Sequence, residues 1–83
     1  LKGGERVDLA PRELDLLLAL IEHRGRVVSR QHLLSGVWGH QGQVVTRTVD
    51  THIAELRRKL EPDTRKPSYI QTARKAGYRF EAP

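Results

Sequence analysis

The stretch from Arg47 to Leu60 constrains the fold more than any other, because its apolar residues fall on one side of a helix and its long cations largely on the other. At about 100° per residue, Val49, Ile53, Leu56 and Leu60 cluster within roughly 60° of one another. Arg47, Thr51, Ala54 and Arg58 gather opposite them, flanked by Thr48, His52, Glu55 and Lys59. A helix face that only meets solvent usually pairs Glu with Lys four residues apart. Here Thr and Ala stand between long basic side chains and leave room for something flat or grooved to approach. A solvated basic face is the plainer alternative. Thr46 can cap this helix and Pro62 bounds it, which predicts a helix over 46–61.

Other elements must cover the apolar stripe, and the rest of the chain supplies them. Pro11 suits the first position of a helix over 11–24, and Glu13 the first turn, where the dipole favours an acid. Ala10 has no side-chain oxygen with which to cap it. Leu14, Leu17, Leu18 and Ile21 recur at i, i+3, i+4 and i+7 and predict its buried face, with Arg12, Asp15, Glu22 and His23 on the polar side. After Gly25, Arg26-Val27-Val28 is extended in character. Ser29 caps a second helix over 29–38, whose buried side is Leu33, Leu34, Val37 and Trp38, and Gly39 ends it. Residues 39–45 form a connecting loop. Past the loop bounded by Pro62 and Pro67, two alternating segments surround Ala73-Arg74-Lys75-Ala76-Gly77, which predicts a β-hairpin over 69–81 with two cations near its tip. Residues 1–9, with Gly3-Gly4 between short extended pieces, read as a weak hairpin or the tail of one. The fold class is α+β: a winged helix-turn-helix of three helices and a C-terminal hairpin wing.

Charge locates the function. The chain has 83 residues and a net charge of +5. Residues 1–46 nearly balance, whereas residues 47–79 hold nine basic against four acidic side chains. Eleven of the fifteen cations are arginine, whose planar fork matches phosphate and guanine edges better than lysine does. A polyanion is the natural partner.

The same sequence excludes other classes. With no cysteine there is neither a disulfide nor a thiolate metal site, a composition that suits the cytoplasm. The longest apolar run, Leu16 to Ile21, has six residues, against roughly 20 needed to span a bilayer, so no membrane contact is expected within the chain. The four histidines lack metal-ligand spacing, no serine lies in a nucleophile motif, and no glycine-rich phosphate loop follows a strand. No metal, cofactor or catalytic residue is expected.

Four blocks in register now carry a resemblance: Leu33-Leu34-Ser35-Gly36-Val37-Trp38-Gly39, the run Arg47 to Leu60 with Thr48-Val49-Asp50-Thr51-His52-Ile53 at its start, Tyr69-Ile70-Gln71-Thr72, and Gly77-Tyr78-Arg79-Phe80. From about Leu1 to Glu81 the chain resembles the OmpR/PhoB-type winged-helix DNA-binding domain of bacterial response regulators. The resemblance implies a transcription-regulating output domain that binds double-stranded DNA, as tandem copies or dimers, and is joined to a receiver that precedes it. It also implies an N-terminal antiparallel sheet, of which residues 1–9 would be the last hairpin, so the chain is expected to lack most of that sheet. The same domain can instead follow a membrane anchor in a one-component regulator. A winged helix used for protein interaction is a third reading, which requires an exposed apolar patch on the third helix.

Roles follow residue by residue from the resemblance. Thr48, Thr51, Glu55 and Arg58 become candidates for base edges in the major groove, and Arg74 for the minor groove, where narrow A·T-rich DNA concentrates negative potential. Trp38, Arg47, His52, Arg57, Thr72, Lys75 and Tyr78 become phosphate candidates. Trp38 and Tyr78 also read as packing residues. Glu55 either accepts from cytosine N4 or orients Arg58 or Arg47. The resemblance further assigns the 39–45 loop to RNA polymerase, where a simple spacer is the alternative. Two departures stand out: Glu55 occupies a position where relatives often carry arginine, which implies a different operator. Lys75 replaces a wing glycine, which implies a turn of altered shape and one more positive charge.

Overall fold

A computed structural model describes residues 7–39 and 44–81. The elements are helix α1 (Pro11–Glu22), strand β1 (Val27–Val28), helix α2 (Arg30–Trp38), helix α3 (Arg47–Leu60), and strands β2 (Ile70–Ala73) and β3 (Gly77–Phe80). The three strands form one antiparallel sheet in the order β1-β3-β2. Residues 1–6 of the expected N-terminal remnant and residues 40–43 of the 39–45 loop lie outside the described residues. Residues 7–10 carry no strand.

The apolar stripe of α3 is the centre of the core. Val49, Ile53 and Leu56 are at most 1 % exposed, and Leu60 packs at the margin. Leu33, Leu34 and Trp38 of α2 and Ile70 and Tyr78 of the sheet close around them. Ser29 caps α2 as its sequence predicts, its Oγ accepting from the His32 N–H at 3.0 Å. Thr46 does not cap α3: its backbone is already helical and its side chain takes no N–H. The first turn closes instead through the Thr46 carbonyl, which accepts from the Val49 N–H at 2.9 Å.

In α1 the buried line is only partly the predicted one. Leu17 packs against the core as expected, but Leu16 and Leu20 are the fully buried residues, with Glu13 nearly so, whereas Leu14 and Leu18 are 44 % and 53 % exposed. Six leucine and isoleucine residues between positions 14 and 21 create two overlapping stripes, and spacing alone does not choose between them. Glu13 chooses. Its carboxylate lies 2.6 Å from Lys59 Nζ on α3 and accepts from the Ala10 N–H at 3.0 Å, supplying one half of a capping box that alanine cannot complete. The Lys59 bond holds the Glu13 carboxyl below the usual range against the opposing effect of burial. The helix is thereby rotated until its acid, rather than Leu14, faces inward.

A second buried acid joins α3 to the sheet. Glu61 is 0 % exposed and accepts three backbone N–H groups, from Ser68 at 2.7 Å and from Tyr69 and Ile70 at 2.8 Å each. It therefore sets where β2 begins.

Gly77 sets where β1 and β3 meet. Its φ is +140°, and a Cβ placed there would lie 2.0 Å from the Val28 carbonyl oxygen and 2.8 Å from Ser29 Cα. Both obstacles are backbone, so any side chain must pry β1 from β3. Gly77→Ala is expected to destabilise the domain by at least about 2 kcal/mol, a fall of about 10 °C or more in Tm for a chain of this size. A melt followed by circular dichroism checks it; an unchanged Tm refutes the close approach.

Candidate nucleic-acid interface

On α3 the expected base-reading residues lie along one exposed side. Thr51 is exposed and donates its hydroxyl to the Arg47 carbonyl at 3.1 Å, which turns its methyl group away from that bond. Thr48 and Glu55 are half-buried, and Arg47 and Arg58 are exposed. Arg58 Nε lies 2.9 Å from Glu55 Oε2, so in the free domain Glu55 orients Arg58 rather than Arg47. The two form an exposed pair in which each carries half of a ready-made hydrogen-bonding edge.

The phosphate candidates divide into two flanks and a tip. On one flank His52 Nδ1 sits 2.8 Å from the Thr48 carbonyl oxygen, and its ring meets Trp38 edge to face with centroids 4.9 Å apart. Trp38 is 8 % exposed, so packing is its principal role. On the other flank Arg57 faces the wing. Its guanidinium donates to the Ile70 carbonyl at 3.1 and 2.9 Å and to Thr72 Oγ1 at 2.8 Å, and lies 5.6 Å above the Tyr78 ring. Arg57 and Thr72, expected on phosphates separately, are thus bound to each other. Arg79 is likewise engaged along the sheet, donating to Gln71 at 2.8 Å and lying 2.9 Å from Glu81.

Tyr78 leads to residues that the sequence did not single out. It is buried, and its hydroxyl donates to Asp50 Oδ1 at 2.6 Å. Asp50 is gripped from the start of α2 by both arms of Arg30, with Nε to Oδ1 at 3.0 Å and Nη2 to Oδ2. Arg30, Asp50, Thr72, Lys75 and Tyr78 line a cleft of about 240 Å³ between the starts of α2 and α3 and the turn end of the hairpin. Asp50 lies 20 residues from Arg30 and 28 from Tyr78, so no local spacing betrays the group. Burial pushes the Asp50 carboxyl up, but the Tyr78 hydroxyl and Arg30 outweigh it and hold it below the usual range. Burial and then the bond to Asp50 push the Tyr78 phenol up to about 12.

At the tip, Arg74 and Lys75 are exposed, and the Ala76 N–H closes the turn on the Ala73 carbonyl at 2.8 Å. Lys75 takes φ +66°. A left-handed angle that glycine takes freely is here adopted by a lysine, at a cost of about 1 kcal/mol. The described residues contain no group of three or more His, Asp or Glu placed to hold a metal. No helix among them is long and apolar enough to cross a membrane.

Two stability predictions follow from this geometry. Tyrosine in the unfolded chain ionises near 10, whereas folded Tyr78 keeps its proton to about 12. Its contribution is complete below pH 10 and is lost as pH rises from 10 to 12. Tyr78→Phe should therefore flatten that alkaline loss in denaturant titrations at stepped pH; an unaltered slope refutes the assignment. Lys75→Gly should relieve the turn and raise stability by about 0.5–1 kcal/mol, seen as a Tm a few degrees higher.

Comparison with known proteins places this arrangement. Residues 4–80 match the family described as "Transcriptional regulatory protein, C terminal". The alkaline phosphatase synthesis transcriptional regulatory protein PhoP of Bacillus subtilis (strain 168) is 49 % identical over 78 residues, covering 94 % of this chain and 32 % of PhoP. The chain thus spans about a third of that relative's length. Among solved structures, the response regulator DrrB, an OmpR/PhoB homologue from Thermotoga maritima, superposes with a TM-score of 0.86 at 39 % identity, covering 95 % of this chain and 36 % of DrrB. The Klebsiella pneumoniae RstA DNA-binding domain, solved in complex with the RstA box, gives a TM-score of 0.82 at 37 % identity, with coverage of 95 % and 78 %. With matching helices, sheet and wing over nearly its whole length, this chain belongs to the OmpR/PhoB-type family of transcriptional regulatory C-terminal, winged-helix DNA-binding domains.

Proposed function

We propose that the domain binds double-stranded DNA, with α3 in the major groove and the hairpin tip in the adjacent minor groove. One observation carries this reading: the polar side of α3, with Arg47, Thr51 and Arg58 exposed, adjoins a wing whose turn presents Arg74 and Lys75. Helix and turn together offer cations at two places with threonine and alanine between them, the pattern a grooved polyanion requires. Likeness to the RstA domain, itself solved on a DNA box, supports the docking mode.

Within that mode Thr48, Thr51, Glu55 and Arg58 face base edges, and Arg74 enters the minor groove. Arg47, His52 and Lys75 hold phosphates. Trp38, Arg57, Thr72 and Tyr78 reach the backbone only through the atoms left over from their packing and bonding within the domain. A receiver preceding the domain, a second copy bound in tandem, and RNA polymerase at residues 39–45 complete the proposal. The share of PhoP and DrrB that this chain spans supports the receiver, and the tandem copy and RNA polymerase are carried over from the family resemblance alone.

Titration with duplex DNA at stepped salt tests the interface. Four cations, Arg47, Arg58, Arg74 and Lys75, set the expected response: affinity should fall roughly a hundredfold between about 50 and 200 mM monovalent salt. Arg74→Ala should lower the slope by about one and weaken the preference for A·T-rich flanks. Arg58→Ala should cost about 1–3 kcal/mol on the preferred site or change its sequence. Unchanged binding in the double variant refutes the interface.

A further inference from the structure

Beyond the Glu61 corner at its end, α3 meets the wing through two polar clasps, and both involve Tyr78. In the first, Asp50 accepts the Tyr78 hydroxyl at 2.6 Å while Arg30 holds Asp50 from the start of α2. In the second, Arg57 donates to the Ile70 carbonyl and to Thr72 Oγ1 and covers the face of the Tyr78 ring. Asp50 and Arg57 lie two turns apart on the same side of α3, about 10 Å along its axis. A hairpin attached at one point can pivot about it. Attached at a second point along the same side, it keeps only rotation about the line between them, which pairing with β1 opposes. The apolar attachment of α3 through Val49, Ile53 and Leu56 lies on a different side of the helix, so the clasps add a constraint that the core does not supply. Gly77 locks the other edge of β3 against β1, which prevents the strand from sliding to evade them.

We infer that Asp50, clamped between Arg30 and Tyr78, acts with Arg57 as a gauge that fixes the spacing, along a duplex, between the bases faced by α3 and the minor-groove step entered by Arg74. Asp50 and Arg30 are positioning residues on this account, and base-pair spacing is itself a specificity determinant. The inference rests on the DNA-binding reading above. Its physical basis is the size of the step: moving one site by a base pair shifts it by about 3.4 Å and rotates it by about 35°. With the Asp50 clasp in place the turn end of the hairpin cannot follow that shift. Without it the base of the hairpin is still held through Glu61 and Arg57, and the turn end, held through β1 alone, gains the freedom to tilt.

The test uses a duplex selected from a random library for tight binding to this chain. Two companions carry the A·T-rich flank moved one base pair toward and one away from the bases read by α3. The unaltered chain should lose about tenfold in affinity on each shifted duplex, the usual penalty of a misplaced contact. Asp50→Ala should lose no more than about threefold on them relative to its own best site, because the wing can now follow. Asp50→Asn keeps a carbonyl for the Tyr78 hydroxyl and should recover part of the discrimination. If Asp50→Ala does not fold, Tyr78→Phe, which removes only the hydroxyl, decides the matter in the same assay.

A merely structural role predicts equal weakening on all three duplexes, and an unchanged ratio between them overturns the inference. Tolerance of the shifted duplexes by the unaltered chain also overturns it while leaving DNA binding intact. Absence of binding to every selected duplex overturns the DNA-binding reading itself, and the inference falls with it.

Discussion

The geometry of this domain depends on a carboxylate that never meets solvent. Glu61 follows the last turn of α3 and receives the N–H groups of Ser68, Tyr69 and Ile70. A buried charge is costly unless its lone pairs are filled, and three charge-assisted bonds to backbone fill them. Because the donors are main-chain atoms, the strand cannot change its path without stranding both the charge and its partners. The end of the helix and the first residue of the wing thus become one rigid corner. Ile70 completes it by sending its side chain into the core and its carbonyl to Arg57.

Charge in the basic half of the chain is spent in two ways. Arg57, Lys59 and Arg79 serve the fold, tied respectively to β2, to α1 and to neighbours along the sheet. Arg47, Arg74 and Lys75 stand exposed. Net charge therefore overstates the cations that face a ligand, and their placement matters more than their number. Glu55 adds a further restraint, because it already holds Arg58 in the free domain. A base edge that engages Arg58 must compete with a carboxylate already in place.

Much of the fold was legible in the sequence, for physical reasons that differ by element. α3 was legible because its apolar residues form a single stripe, and α2 because Ser29 announces its start. α1 was misread because an overabundance of leucine offers two stripes, and an ion pair 46 residues distant decides between them. Thr46 had the chemistry of a cap but not the backbone angle. The candidate interface was legible as to residue type and side of the helix. Its restraints were not, since Arg57, Asp50 and Glu61 bind groups that only tertiary structure brings near, among them peptide atoms that carry no sequence signature. Lys75 was legible as a glycine substitute, and its φ of +66° lies in the left-handed region that glycine enters most freely.

The contact of Gly77 with the backbone of Val28 has a consequence for how such a domain can diversify. The turn of the hairpin and the residue that closes it are adjacent in sequence but live under opposite rules. Position 77 admits no side chain, whereas positions 74 to 76 project from the fold and touch little else. Mutation can therefore redraw what the tip offers a partner without renegotiating the framework beneath it. The hairpin is an interchangeable tool on a fixed handle, and the handle is one hydrogen atom wide.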